Sequence, residues 1–79
     1  MHQESWIYRG KVRKHLVQLL HDFSKGTLLL TLDGFQLSEE QLKAEEDAKK
    51  LRFFIDGELF EIDGIRKGKK VLYKFTPQV

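Results

Sequence analysis

Cysteine is absent from this chain, proline and methionine occur once each, and no apolar stretch approaches the roughly 18 residues that a membrane-spanning helix needs. Each absence removes a class of explanation. Without cysteine there is no disulfide framework and no thiolate zinc site to staple a small fold, so stability has to come from a packed core or from association. The same absence suits a reducing compartment, and the N-terminal MHQESWIYRG lacks the apolar segment of a secretory leader. The expected location is the cytoplasm, with no membrane partner.

Signatures of catalysis and of ligand binding are equally scarce. His21, Asp22 and Ser24 resemble triad chemistry when named together, but on one helix His21 and Asp22 would point about 100° apart. His2, His15 and His21 lack the three- or four-residue spacing of metal ligands on a helix face and read as surface histidines. Glu39, Glu40, Glu45, Glu46 and Asp47 lack the spacing of a calcium loop. Lys67-Gly68-Lys69-Lys70 has neither the preceding glycines nor the following Ser or Thr of a phosphate-binding loop. The expectation is a protein that is not an enzyme and has no catalytic, cofactor or metal residues.

What is present is organised around Leu51 to Phe75, which holds five of the nine aromatic residues. Leu51, Phe53 and Ile55 alternate with Arg52 and Phe54, the period of a pleated strand. Asp56-Gly57 suits a two-residue turn with both central residues at positive φ. Partners then sum to 113 in residue number, which sets Leu51 opposite Ile62, Phe53 opposite Phe60, Phe54 opposite Leu59 and Arg52 opposite Glu61. Apolar meets apolar and cation meets carboxylate, whereas a slip of one residue breaks both matches. Both Asp63-Gly64 and Lys67-Gly68 could make the second reversal; taking Lys67-Gly68, with partners summing to 135, pairs Ile62 with Tyr73, Phe60 with Phe75 and Glu61 with Lys74. Gly64 is then a bulge. One face carries Leu51, Phe53, Phe60, Ile62, Tyr73 and Phe75, while the other carries Phe54, Leu59 and Leu72 among charges.

Upstream, Trp6, Ile7 and Tyr8 suit a short edge strand. Val12, Leu16, Leu19, Leu20 and Phe23 recur at three- and four-residue spacing, which predicts a helix over 11–25 stopped by Gly26. Thr27 to Asp33 reads as a strand central in the sheet, ended by Asp33-Gly34 with positive φ at Gly34. Leu37 to Leu42 carries a capping box, with Ser38 as N-cap, Gln41 as its reciprocal partner and Leu37 and Leu42 as the staple. A second, largely exposed helix follows, laced by Glu39 with Lys43, Glu45 with Lys49 and Glu46 with Lys50. Thr76 to Val79 is expected to fray.

These readings combine into a single α+β domain over residues 1–79, with two helices packed on one face of a four- or five-stranded, mostly antiparallel sheet in the order β-α-β-α-β-β-β. A chain of this length buries only about 60% of its unfolded surface, which favours association. The leading functional expectation is a non-catalytic regulatory or adaptor module, expected as a homodimer, that binds another protein or a second copy of itself through Phe54, Leu59 and Leu72.

The alternative rests on charge. Fourteen Lys and Arg against twelve Asp and Glu give a net charge of only +2, but the cations are unevenly spread. Residues 1–25 carry five cations and two carboxylates, 26–51 three and six, and 52–79 six and four. Two clusters stand out: Arg9, Lys11, Arg13 and Lys14, and Arg66, Lys67, Lys69 and Lys70. Brought to one end of a domain they would track the phosphates of DNA or RNA. Against this, a basic hairpin tip commonly serves only solubility.

Overall fold

The computed structural model describes residues 1–42 and 47–77. Among them there is no helix: the chain forms seven strands, β1 (His2–Arg9), β2 (Lys14–Asp22), β3 (Thr27–Leu32), β4 (Phe35–Gln41), β5 (Ala48–Ile55), β6 (Glu58–Lys67) and β7 (Lys70–Pro77). Both expected helices are therefore overturned, and the α+β class with them; the fold is all-β. Two compact units divide the chain, Met1–Leu42 and Lys43–Val79. The first holds a four-stranded antiparallel sheet in the order β1-β2-β3-β4, the second a three-stranded one in the order β5-β6-β7.

The expected first helix fails for an identifiable reason. In β2 the buried positions are His15, Val17, Leu19 and His21, a strict alternation. Two of those four are histidine, so a count of apolar residues misses the period of two. Leu16, by contrast, is exposed and Leu20 half-buried on the opposite face, so the Leu19-Leu20 pair straddles the strand. His15 and His21 are buried, which corrects their reading as surface residues.

Glycine 26 does not stop a helix but closes the β2–β3 turn at φ 67°, with its N–H donating to the Asp22 carbonyl at 2.8 Å. Its carbonyl in turn accepts from Leu42 N–H at 2.8 Å, and a Cβ there would meet the Leu42 carbonyl oxygen at 3.1 Å. Glycine thus serves both the left-handed backbone and the close approach of the chain end of this unit. Asp22 Oδ1 accepts from Ser24 Oγ at 2.7 Å and from the Ser24 and Lys25 amides. The hydroxyl contact first, then the amides, hold that carboxyl below the usual carboxylate range. Asp22 and Ser24 meet as turn chemistry.

The capping box fares no better. Ser38 to Gln41 continue in extended backbone as β4, paired to β3 through Ser38↔Leu30, Glu39↔Leu29, Glu40↔Leu28 and Gln41↔Thr27. Leu37, the expected staple, falls at the register shift between Leu30 and Thr31 and is the extra residue of a β-bulge. The local helix signal loses because Asp33-Gly34 makes a two-residue turn, φ 51° and 85°, that returns the chain directly onto β3. Once a ladder partner stands alongside, tertiary pairing outweighs a cap worth about 1 kcal/mol. Ala48 to Leu51, assigned to the same helix, belong to β5. The pairs expected of Lys43, Glu45 and Glu46 lie outside the described residues.

The second unit keeps the first hairpin as read. Asp56 and Gly57 both have positive φ, 49° and 79°, and Leu51↔Ile62, Arg52↔Glu61, Phe53↔Phe60 and Phe54↔Leu59 all hold. Reversal of β6 into β7 comes one residue later than expected, with Lys67↔Lys70 closing the turn around Gly68, φ 62°. Partners therefore sum to 137: Ile62 meets Phe75, Gly64 meets Tyr73, Phe60 meets Pro77 and Asp63, in place of Glu61, meets Lys74. A shift of two leaves every side chain on its expected face, since the pleat repeats every two residues. Gly64 is no bulge but a regular rung between Lys49 and Tyr73, with the tyrosine ring edge 3.7 Å from where a Cβ would stand.

Leu51, Phe53, Ile55, Phe60 and Ile62 are buried in this unit. The Phe53, Phe60 and Phe75 rings gather at centroid separations of 6.0, 6.0 and 5.4 Å. Such spacing favours offset stacking. Thr76 and Pro77 are held in β7 against Glu61 and Phe60, so the expected fraying does not reach them, and residues 78–79 lie outside the described residues.

Candidate functional site

Each basic cluster occupies one hairpin tip. In the first unit Arg9 ends β1 and Lys14 begins β2, directly opposite one another, and Lys11 and Arg13 stand in the intervening turn, where Gly10 N–H donates to the Arg13 carbonyl at 3.0 Å. All four side chains are exposed. In the second unit Lys67 and Lys70 face each other across the turn, with Arg66 before them and Lys69 inside it. The clusters belong to different units, and the helix N-terminus expected to carry the first does not exist.

Opposed residues in an antiparallel ladder project from the same face. Arg9↔Lys14 and Lys67↔Lys70 are therefore both like-charge pairs held at close quarters, and such pairs are destabilising. Both hairpins close on this unfavourable arrangement. Between the first tip's cations sits Val12, 93% exposed, and Ile7 and Leu16 form the next exposed row below Arg9 and Lys14 on the same sheet face. Phe35, beside the neighbouring β3–β4 turn, is exposed as well. The exposure of Val12 corrects its expected place on the apolar face of a helix, and nothing in the local pattern singles out Phe35.

A part-buried carboxylate–imidazole contact anchors this end of the first sheet. Asp33 Oδ2 lies 2.7 Å from Nδ1 of His15, which is only 3% exposed, and Asp33 Oδ1 accepts from the Leu16 amide at 2.8 Å. Since a carboxylate offers only acceptors, Nδ1 carries the proton. The Asp33 amide returns a bond to the Leu16 carbonyl at 2.9 Å, and an Arg13 guanidinium nitrogen approaches Oδ2 at 3.6 Å. The Leu16 amide first, then the His15 ring and the nearby positive charge of Arg13, hold the Asp33 carboxyl below its ordinary range. The β3–β4 turn is thereby latched to the start of β2, beside the basic tip.

Phe54, Leu59 and Leu72 share the outward face of the second sheet. Phe54 is 65% and Leu72 52% exposed, with Leu59 half-buried. They do not form one patch. Phe54 pairs with Leu59 near one end of β6, and Leu72 pairs with Ile65 near the other. Six residues separate Leu59 from Ile65, about 20 Å along a strand. The two rungs between are charged or polar: Arg52, Glu61 and Thr76, then Lys50, Asp63 and Lys74. Arg52 Nε donates to Glu61 Oε1 at 3.1 Å, and Glu61 is buried. Asp63 Oδ1 is buried without a hydrogen-bond partner among the described residues.

No family model, no curated protein and no solved structure matches this chain.

Proposed function

We propose that this protein is a non-catalytic binding module for a polyanion, a nucleic acid, which each of its two basic hairpin tips can contact by itself. The observation that carries the reading is that both tips oppose cation to cation, Arg9 to Lys14 and Lys67 to Lys70. Each such pair costs a few tenths to about 1 kcal/mol in the free protein. A phosphate seated between the two side chains turns that repulsion into attraction, and a phosphodiester chain supplies phosphates at regular intervals. A net charge of +2 would not draw a polyanion by itself, but clustering concentrates the field where it acts. A chain without cysteine fits a reducing compartment, and the cytoplasm is the one this reading assumes.

Fluorescence anisotropy with mixed-sequence oligonucleotides tests it. Binding at low salt should fall linearly in log–log form as salt is raised, and Lys67→Thr with Lys70→Thr should flatten that slope. Absence of any binding at low salt defeats the proposal and leaves the tips as solubility features.

A second reading keeps association with another protein or a second copy, through Phe54 and Leu59 at one end of the outward face and Leu72 as a separate contact at the other, favoured by the exposure of the Phe54 ring. Sedimentation should then show a dimer that Phe54→Asp dissociates. A monomer at every concentration, with partner capture unchanged by the substitution, removes it.

A further inference from the structure

The first sheet has a face whose chemistry changes in order along its strands. Starting at the hairpin tip, the rungs shared by β1 and β2 read Arg9–Lys14, Ile7–Leu16, Ser5–Gln18 and Gln3–Leu20. The last two rungs extend onto β3 as Gln18↔Thr31 and Leu20↔Leu29. Cations come first, aliphatic side chains second, and amides and hydroxyls third. At the far end the surface dips into an open hollow of about 160 Å³ lined by Gln3, Gln18, Leu20, Leu29 and Thr31. That volume is below the range of roughly 300 to 1,000 Å³ typical of drug-sized ligand pockets, and suits a single heterocycle.

We infer that this face of the four-stranded sheet binds single-stranded nucleic acid, with phosphate at Arg9 and Lys14 and an unpaired base seated in the hollow against Gln18 and Thr31. The inference rests on the polyanion reading above and narrows it. Charge complementarity fixes one end of the track, since Arg9 and Lys14 face the same way as the hollow. Four residues of strand separate the Arg9–Lys14 rung from Gln18, and six from the far rung Gln3–Leu20, about 13 to 20 Å, enough for a short run of nucleotides.

Size decides between single strand and duplex. Four strands at about 4.8 Å spacing place the outer two roughly 14 Å apart, before any side chains are added. The major groove of a duplex is about 12 Å wide and admits a helix or a two-stranded ribbon. A four-stranded face does not enter it, so groups recessed in that face reach base edges only when the bases are unpaired. Gln amides donate and accept at once and Thr hydroxyls do the same, matching the mixed donors and acceptors of a free base edge. Leu20 and Leu29 supply an apolar floor for the ring.

The test is an anisotropy titration of the full chain against three probes: a labelled single-stranded oligonucleotide, a duplex with the same number of phosphates, and vesicles containing phosphatidylserine. Gln18→Ala and Thr31→Val are compared with the wild type, Thr31→Val preserving both the β-branched shape and the strand. The single strand should bind at least tenfold more tightly than the duplex. Both variants should lose severalfold in single-strand affinity with the salt slope unchanged, whereas Lys14→Thr should reduce that slope by about 0.7. Equal or tighter duplex binding, or full single-strand affinity in both variants, overturns the inference while leaving polyanion binding in place. Binding to neither oligonucleotide, or to vesicles alone, overturns both.

Discussion

Asp33 has two roles that its place in the sequence announces only in part. As the first residue of an Asp-Gly turn it tolerates a φ of 51°, and that much follows from residue type. Its carboxylate also reaches back to His15 and to the Leu16 amide, a contact spanning 17 to 18 residues that no local pattern discloses. Asp33→Asn isolates the second role, because Asn-Gly favours the same turn. The sign follows from the direction of its shift. A carboxyl whose folded pKa is depressed stabilises the protein above its unfolded value, near 3.8, and that contribution disappears as pH falls through the folded pKa. Asp33→Asn should therefore be less stable than the wild type at neutral pH, and the difference should shrink below about pH 4. Urea unfolding at a series of pH values checks this, and a difference independent of pH would place the effect in the turn rather than the charge.

Strands were legible where the buried face of the pattern was uniformly apolar. Leu51, Phe53 and Ile55 against Phe60 and Ile62, joined by Asp56-Gly57, left one register that satisfied every rung, and that register is the one formed. In β2 the same logic was hidden by His15 and His21, polar residues on the buried face. In β4 a genuine cap motif, Ser38 to Gln41, argued for helix, and only the ladder with β3 decided otherwise. Charge matching across Arg52 and Glu61 was correct, but burial changes its weight. An exposed pair contributes up to about 1 kcal/mol, whereas Glu61 is only 6% exposed and its carboxylate would be left without the Arg52 bond. Arg52→Ala should therefore cost about 1 to 3 kcal/mol, the range for stranding a buried acceptor. Denaturant midpoints at unchanged m-value measure it. A loss of only a few tenths would show that Glu61 finds other solvation.

Across the whole chain, cations and carboxylates are nearly balanced, yet their placement is not. Residues 1–42 carry five of each, and four of those five cations stand at one hairpin tip with Asp33 as the neighbouring carboxylate. The second unit repeats the device at the β6–β7 turn. The composition showed the clustering; the placement of opposed pairs needed the register, which was out of reach for 9–14 once a helix was expected and off by two for 66–70. Two accounts of these tips make the same structural demand and differ in what they predict. If the cations serve only to keep edges apart, then replacing one member of each pair, Lys14→Thr with Lys70→Thr, relieves repulsion and changes nothing else. If they serve a polyanion, the same substitutions exchange affinity for stability. In both cases the double variant should be more stable than the wild type at low salt by about 0.2 to 1 kcal/mol per tip, a gain that fades as salt screens the pairs. Only in the second case should oligonucleotide affinity at low salt fall together with that gain, and its salt slope flatten. Unfolding and anisotropy measured on one preparation across one salt series separate the two, because a stabilised variant that still binds oligonucleotide as the wild type does would exclude Lys14 and Lys70 from the contact.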